Sequence, residues 1–448
     1  MSEDTTTALP RPVLGSERAR DLQERAHRAI PGGAHTYAKG DDQYPELAPT
    51  LLVRGEGCRV WDVDGNEFVE YGMGLRSVAL GHAFPRVVEA VRRQLDHGTN
   101  FTRPAAIEVE CAELLLSLVP GAEMAKFTKD GSTATTAAVR LARAHTGRDV
   151  VALCRDHPFF SYDDWAIGTT PMKAGIPTSV TDLTATFPYG DVAAVEAIFA
   201  ERPGQVACVI LEPERDTPAP DGYLEALQAL CAREGAVLVL DETITGFRYH
   251  QGGVQTQRGI VPDLSIFGKA LANGFAVSAL LGRRELMELG GIRHDRDRVF
   301  LLSTTHGAET HSLAAAIATM QTYVDEPVIA TMEAQGQRLA DGVRRAAAEA
   351  GVEQWFGVAG RPQNLYYVTR DPEGKPSQPF RTLFLQEVVR RGFLMPSLVN
   401  SYSHRDLDTD LTVEAIAEAL AVYRRAIEEG VERHLEGRSV KPVFRARC

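Results

Sequence analysis

Residues 236–248 read AVLVLDETITGFR, a short apolar run that ends in two acids, Asp241 and Glu242. Unbroken apolar character, instead of alternation with polar residues, predicts a strand that is covered on both faces, as in a parallel α/β sheet. An acid at the carboxyl end of such a strand lies at the edge where α/β sheets bind ligands. Nucleotide hydrolases share this pattern, but the sequence contains no GxxxxGKS or GxxxxGKT phosphate loop. Asp241 therefore predicts a ligand site of another kind.

Other short apolar runs extend this pattern into a sheet. Four more of them occur, at 150–153, 207–211, 264–267 and 278–281. Helical patterns separate them, and the one at 223–235 places its leucines on a single stripe and ends in a glycine. The alternation of strands and helices predicts an α/β fold with a large, mostly parallel central sheet.

The pattern changes along the chain and indicates more than one domain. After about residue 310 helical patterns dominate, and only one further stretch, NLYYVT, resembles a strand. We expect an N-terminal segment at 1–70 that packs with the small domain, a large domain at 71–315, and a smaller C-terminal α+β domain at 316–448. A chain of 448 residues is long enough for such a division.

The composition argues against several classes of function. The chain has 48 Lys and Arg against 60 Asp and Glu, a formal net charge of −12, so no broad basic field favours nucleic acid or anionic lipid. Its six cysteines are scattered without a CxxC pair, which argues against a disulfide framework or a thiolate metal cluster. No apolar run approaches the roughly 20 residues of a membrane helix, and the start is polar and acidic. We expect a cytoplasmic protein.

A lysine follows a second predicted strand, in residues 262–275, which read PDLSIFGKALANGF. Lys269 at the end of a buried strand is unfavourable as a cation unless it is paired or used chemically. Desolvation lowers the pKa of such a lysine toward nucleophilic use, including Schiff-base formation. A lysine whose ammonium reaches solvent along the surface is the alternative, and this stretch by itself leaves both open.

A third motif, FTKDGSTATTAAVRLARAHTG at 127–147, joins a strand to an alanine-rich helix. Gly131 and Ser132 stand at the helix start, where free N–H groups and the positive end of the helix dipole favour an anion such as phosphate. An ordinary helix N-cap would give the same local pattern. The three motifs together predict a phosphate cup, an acid and a lysine on one sheet.

These stretches resemble the class III aminotransferases of the pyridoxal-phosphate fold type I superfamily, and most of all the glutamate-1-semialdehyde aminomutase branch. The resemblance extends from Ile30 to the helix after Asp410 and includes the pieces CVILEP, LDETITGFR and PDLSIFGKALANGF. It implies fold type I, with a large domain and a smaller C-terminal α+β domain. It also implies pyridoxal 5'-phosphate (PLP) as cofactor and a homodimer with shared active sites.

The resemblance assigns roles to individual residues. Lys269 would form the Schiff base with the cofactor and then shuttle the proton, and Asp241 would pair with the pyridinium nitrogen. The remaining implied cofactor contacts are Gly131 and Ser132 at the phosphate, Phe159 and Thr243 on the two ring faces, Glu212 as a nearby strand-end acid, and Thr304 reaching the neighbouring subunit's phosphate. His306 and His311 lack the i, i+4 spacing of a helical zinc site, so no metal is expected.

The cofactor motifs depart from the branch at two places. The cup has Asp130 before its glycine, and this acid would repel a phosphate unless it caps the helix and Lys129 offsets its charge. The aromatic loop reads Phe159-Phe160-Ser161 where Tyr-His-Gly is usual, which keeps a stacking ring but loses the phenol and the imidazole.

The substrate positions depart further. Lys39 stands where the branch has an arginine for the substrate carboxylate, Leu75 replaces a tryptophan and is followed by Arg76, and Pro396 replaces a glutamate. These differences argue against glutamate-1-semialdehyde as the substrate. Lys39 and Arg76 could bind another anion, and both could equally be surface or interdomain residues.

The sequence therefore predicts a PLP-dependent aminotransferase that moves an amino group from an amino acid donor to the aldehyde or ketone of a small polar acceptor, anionic or sugar-like. An aminomutase, a racemase or a decarboxylase on the same fold are alternatives; a transaminase alone consumes an amino donor. A catalytically silent binding protein is a further alternative, against which the presence of Lys269 and Asp241 counts. The expected partners are these small molecules and a second copy of the chain, without nucleic acid or membrane.

Overall fold

The computed structural model describes residues 9–157 and 159–446. Residues 1–8, 447 and 448 of the predicted terminal domains lie outside the described residues. The contacts divide the chain into two compact units. The small unit contains the described residues up to Leu75, Ala79–Phe84 and Ala330–Val443. The large unit contains Arg76–Val78, Pro85–Ile329 and the described residues from Phe444 onward.

The described strands, in chain order, are β1 (Leu52–Glu56), β2 (Arg59–Asp62), β3 (Glu67–Glu70), β4 (Met124–Thr128), β5 (Val150–Cys154), β6 (Thr184–Phe187), β7 (Val206–Leu211), β8 (Val237–Asp241), β9 (Leu264–Phe267), β10 (Ser278–Gly282), β11 (Phe356–Ala359), β12 (Tyr366–Thr369) and β13 (Phe393–Leu394). The helices are α1 (Glu17–Ala29), α2 (Met73–Arg76), α3 (Pro85–Leu95), α4 (Ala106–Leu118), α5 (Gly131–Thr146), α6 (Asp164–Ile167), α7 (Thr178–Thr181), α8 (Val192–Glu201), α9 (Tyr223–Glu234), α10 (Gly253–Arg258), α11 (Arg284–Met287), α12 (Thr310–Asp325), α13 (Val328–Glu349), α14 (Gln378–Val389) and α15 (Asp406–Glu429). The four residues of α2 all have positive φ, so this element is one left-handed turn.

The large unit is built on a seven-stranded sheet with the order β4-β10-β9-β8-β7-β5-β6. Strands β5 to β9 are parallel, and β10 is antiparallel to both of its neighbours, β4 and β9. All five apolar runs of the sequence form strands of this sheet, which confirms the predicted α/β fold. The antiparallel β10 shows why direction could not be inferred: burial on both faces makes a strand apolar whichever way it runs.

The sheet is buried because helices cover it. Every residue of β5, β7, β8, β9 and β10 is buried, and apolar side chains from each of these strands belong to one core together with side chains of α5 and α9. Helix α5 begins at the cap residue Asp130 and ends at Gly147, whose φ of 67° suits glycine. Because β4 runs in the same direction as β9, the carboxyl ends of β4, β7, β8 and β9 meet at one edge.

The small unit holds two smaller sheets. One has the order β1-β2-β3-β13, with β13 parallel to β3 and the other pairs antiparallel, and the second pairs β11 with β12. Helices α14 and α15 contribute much of its apolar core. No helix among the described residues is long and apolar enough to cross a bilayer.

The boundary between the units differs from the sequence expectation. The sequence placed it after residue 315, whereas the contacts place it after Ile329. Helix α12 packs against α3 and α4 and therefore belongs to the large unit. The helix-rich pattern of this stretch carries no information about the partner of each helix.

Candidate active site

A cavity of ≈ 280 Å³ lies at the edge where β4, β7, β8 and β9 end. We call it the sheet-edge cavity. Seven of the ten residues singled out from the sequence line it: Gly131, Ser132, Phe159, Glu212, Asp241, Thr243 and Lys269. They come from five separate segments of the chain, so the sheet topology, not sequence proximity, brings them together.

Lys269 follows β9 by two residues and has a left-handed backbone, with a φ of 45°. Such a conformation is unfavourable for a residue with a side chain and is typical of functional sites. The preceding Gly268 has no room for a side chain, because a Cβ there would lie 2.5 Å from Oγ of Ser278. Burial lowers the pKa of Lys269 to about 8. A neutral, nucleophilic amine is therefore accessible near neutral pH.

Charges around Lys269 act in both directions. Glu212 and Asp241 raise the pKa of its amine, while Arg76 and Arg215 lower it. Burial outweighs these four charges. Glu212 and Asp241 thus interact electrostatically with Lys269 in the cavity, and Arg76 and Arg215 are close enough to affect the pKa of the lysine.

Asp241 ends β8 and is buried. Its Oδ1 accepts a hydrogen bond of 3.0 Å from the N–H of Thr243. Burial raises the pKa of Asp241, and this is opposed by the hydrogen bonds from Thr243 and by the charge of Lys269. A buried carboxylate facing a cavity can stabilise a cationic N–H group that enters it.

The cup at the start of α5 has the form expected of an anion site. Oδ1 of Asp130 accepts hydrogen bonds from the N–H of Thr133 at 2.8 Å and from its hydroxyl at 3.0 Å, so Asp130 does cap the helix. Lys129 does not offset that acid, because its ammonium pairs with Glu309. A Cβ on Gly131 would lie 3.2 Å from Oγ1 of Thr243, so the glycine keeps the cup open.

Glu212 follows β7 and is also buried. Its N–H donates a 2.9 Å hydrogen bond to Nδ1 of His157, while its Oε2 has no hydrogen-bond partner among the described residues. Burial raises the pKa of Glu212 to about 7, with Arg215 opposing and Asp241 adding to the effect. An unpartnered buried oxygen of this kind indicates a site that a ligand completes.

The other predicted residues have varied positions. Phe159 lines the cavity and is 47% exposed as a residue. Arg76 belongs to the left-handed turn α2, and its carbonyl accepts a 2.7 Å hydrogen bond from Nη2 of Arg248. Thr304 is exposed and does not line the cavity, and Lys39 is an exposed residue that lines a different cavity, within the small unit. The lining of the sheet-edge cavity therefore includes none of Arg76, Thr304 and Lys39 of this chain.

Sequence reasoning missed two residues that lie against Glu212, namely Arg215 and His157. Nη1 of Arg215 lies 3.6 Å from Oε1 of Glu212. Burial lowers the pKa of His157 to about 3, so its ring is neutral, and its Nδ1 accepts from Glu212. A usable signal for Arg215 was present, since three charged residues in succession, at 214–216, follow a fully buried strand.

The residues present fit PLP. The N-terminus of α5 and Gly131 form an open anion cup, Asp241 offers a buried carboxylate, and Lys269 offers an amine of lowered pKa. The unpartnered Oε2 of Glu212 adds a polar atom without a protein partner. An anion cup, an acid and an amine on one α/β sheet are what a phosphorylated pyridine aldehyde requires, so fold and site together define a PLP enzyme.

Comparison with known proteins agrees with this class. The family model of class III aminotransferases matches residues 40–355, and the chain belongs to this family. It is 34% identical to the glutamate-1-semialdehyde 2,1-aminomutase of Roseiflexus castenholzii, over 92% of this chain and 99% of that protein. The aminomutase of Desulforamulus reducens is 29% identical with the same coverage.

Solved structures show the same relationship. The PLP internal aldimine form of the FumI protein of Sphingopyxis sp. MTA144 superposes with a TM-score of 0.85 at 28% identity, covering 92% of this chain and 98% of that one. An omega-transaminase from Sphaerobacter thermophilus gives 0.82 at 28% identity with the same coverage. The resemblance, fold type I and PLP as cofactor are thereby confirmed, and the chain is a PLP-dependent aminotransferase with the aminomutases among its relatives.

Proposed function

We propose that this enzyme moves an amino group from an amino acid donor to the aldehyde or ketone of a small polar acceptor. Lys269 would be the amine that holds the cofactor and the group that moves the proton. The observation that carries this proposal is the lowered pKa of Lys269 in a cavity shared with Asp241 and Glu212. When bound, PLP supplies an electron sink that stabilises negative charge on the amino-bearing carbon of the substrate.

Lys269 is suited to proton transfer. With its pKa lowered to about 8, the amine can accept a proton and return it near neutral pH without a large energetic mismatch. Its strained left-handed backbone, and the lack of room for a side chain at the preceding Gly268, fix where the side chain of Lys269 begins. A base held in this way loses little entropy at each transfer.

Asp241 and α5 would hold the two ends of the cofactor. The carboxylate of Asp241 would keep a ring nitrogen protonated, since the proton gains a buried anionic partner. The first N–H groups of α5, at Gly131 and Ser132, have no acceptor within the helix and would bind the phosphate. Phe159 and Thr243 would lie on the two faces of the ring.

We propose that the active form is a homodimer in which Thr304 reaches the cofactor phosphate of the neighbouring subunit. Thr304 is exposed and absent from the lining of its own sheet-edge cavity, which supports this placement. Sedimentation should then give two chains per particle. The change Thr304→Ala should weaken PLP binding, while Thr305→Ala, at the exposed neighbouring threonine, should not. The cytoplasmic location expected from the sequence stays part of this proposal.

An aminomutase is the second candidate, and the relatives support it. The Roseiflexus and Desulforamulus proteins are both named glutamate-1-semialdehyde 2,1-aminomutase. The residues at the substrate positions argue the other way, since Lys39, Leu75 and Pro396 stand where that branch has Arg, Trp and Glu. A racemase on the same fold is a further alternative without a specific observation in its favour.

One experiment separates these candidates. The purified enzyme is loaded with PLP and titrated with single amino donors while the visible band of the bound cofactor is recorded. A transaminase loses the band with its donor and releases the matching keto acid, and the band returns when an acceptor is added. A band that no amino acid converts, together with turnover of glutamate-1-semialdehyde, would favour the aminomutase and overturn the proposal.

A further inference from the structure

Arg215 lies on a loop that the fold holds firmly. The loop follows β7, and the hydroxyl of Tyr189 donates a 2.6 Å hydrogen bond to the carbonyl of Pro213. Next along the chain, Glu214 is almost fully buried, and its Oε1 accepts a 3.0 Å hydrogen bond from Arg258. These contacts fix the backbone on the N-terminal side of Arg215, so its position does not depend on a flexible surface loop.

The guanidinium of Arg215 is only loosely paired. Its closest acidic atoms are Oε1 of Glu212 at 3.6 Å and Oδ1 of Asp216 at 3.5 Å. Both distances exceed the 2.7–3.2 Å of an N–H···O hydrogen bond, and none from this guanidinium to another described residue is present. Its side chain is 26% exposed. A largely covered cation with uncommitted donors is suited to a ligand carboxylate.

Arg76 carries a second positive charge in the same surroundings. Burial lowers the pKa of Arg76 to about 10, and Arg248, Arg215 and Glu212 all act on its guanidinium. The left-handed turn that contains Arg76 has positive φ angles, which are unfavourable for residues with a side chain. The hydrogen bond from Arg248 to its carbonyl holds that turn. A strained backbone that is held in place indicates a functional position.

We propose that Arg215 and Arg76 form a carboxylate site beside Lys269 and select substrates that carry an acidic group. This inference rests on the proposed aminotransferase function and names the substrate class of that site. The guanidinium of Arg215 lies within 4 Å of both Glu212 and Asp216 without hydrogen-bonding to either carboxylate. A substrate carboxylate would accept two parallel hydrogen bonds of normal length from the guanidinium of Arg215. Glu212 accepts no such bond, since it lies 3.6 Å away.

The test uses the PLP-loaded enzyme and ligands that cannot react. Succinate carries carboxylates without an amine, and succinamide is its neutral analogue of similar size. In calorimetric titrations the wild type should bind succinate at least about tenfold more tightly than succinamide. Arg215→Gln should remove that preference, Arg215→Lys should retain part of it, and the matched control Arg233→Gln, at an exposed arginine of α9, should leave it unchanged.

Three outcomes contradict the carboxylate site. Equal binding of succinate and succinamide by the wild type does so without any variant. Unchanged succinate binding by Arg215→Gln would show that Arg215 does not bind the carboxylate. If inorganic phosphate binds more tightly than succinate and displaces it, the site is one for phosphorylated substrates. The titration of the cofactor band with amino donors tests the proposed aminotransferase function independently of the carboxylate site. If no donor converts the band but succinate binding requires Arg215, the proposed function fails and the anion site stands; if a donor converts it and Arg215→Gln has no effect, only this inference fails.

Discussion

Asp241 and Glu242 are neighbours in sequence and both are buried, yet their carboxylates have different surroundings. Glu242 accepts hydrogen bonds from the hydroxyl of Thr245 and from the N–H groups of Val254 at 3.0 Å and Gln255 at 2.7 Å. Asp241 faces the sheet-edge cavity. Among the residues that the structure describes, only Thr243 donates hydrogen bonds to the carboxylate of Asp241, which leaves it capacity for a ligand.

Burial and pKa do not separate the two acids. Burial raises the pKa of both, to about 7 for Glu242. They differ in the hydrogen bonds that protein donors make to each carboxylate. Glu242 accepts from N–H groups at the start of α10, whereas Asp241 faces the cavity that it shares with Lys269. In this protein unmet hydrogen-bonding capacity, more than a perturbed pKa, distinguishes a residue that serves a ligand from one that serves the fold.

The largest effect is expected at Asp241. The change Asp241→Asn keeps the shape but removes the charge that would hold a ring nitrogen protonated, so kcat should fall by about 100-fold or more. Steady-state kinetics with the best donor measure this, with thermal unfolding as the control for folding. A variant with near wild-type kcat would show that Asp241 is no more functional than Glu242.

A smaller effect is expected at the cup. Gly131→Ala places a Cβ 3.2 Å from Oγ1 of Thr243, so that Thr243 or the start of α5 must shift, and PLP affinity should fall about tenfold. Gly147→Ala is the matched control at the other end of α5. Nothing lies within 4 Å of a Cβ there, and the positive φ of Gly147 would reduce stability without affecting PLP affinity. Equal PLP affinity of wild type and Gly131→Ala would place the phosphate elsewhere.

Substitution of Glu242 should lower the stability of the fold and leave the catalytic rate nearly unchanged. Glu242→Gln weakens the charge-assisted bonds to the N–H groups of Val254 and Gln255, so the free energy of unfolding should fall by about 1–3 kcal/mol. Denaturant unfolding measures this loss, and kcat per folded molecule should change less than about twofold. A loss of kcat as large as that of Asp241→Asn would remove the distinction between the two acids.

The smallest effect is a pH dependence of stability in the cofactor-free protein. The folded-state pKa of Lys269 is lowered to about 8, below its value in the unfolded chain, so between about pH 8 and 10.5 the unfolded chain binds more protons. Stability should therefore rise with pH across this window, and the contribution of Lys269 is lost as the pH falls through about 8. Lys269→Met should flatten the rise in urea unfolding relative to wild type, whereas Lys126→Met, at an exposed lysine of β4, should not.

Much of this arrangement could be predicted from the sequence because it depends on local patterns. Buried strands require unbroken apolar residues, and the residues that follow them at the sheet edge, Asp241 and Lys269, are then located by counting. Arg215 was not predicted, because its place depends on how Tyr189 and Arg258 hold a loop after β7. The packing of α12 against α3 and α4 is likewise invisible to local patterns, since these partners are distant in sequence.

The role proposed for Lys269 is tested most directly by finding which lysine holds the cofactor. The PLP-loaded enzyme is treated with sodium borohydride, which fixes the cofactor onto its lysine, and the modified peptide is identified by mass spectrometry. We expect modification at Lys269 alone, and no fixed cofactor or turnover in Lys269→Ala, while Lys126→Ala behaves as wild type. Modification of a different lysine, or normal turnover by Lys269→Ala, would show that Lys269 does not hold the cofactor.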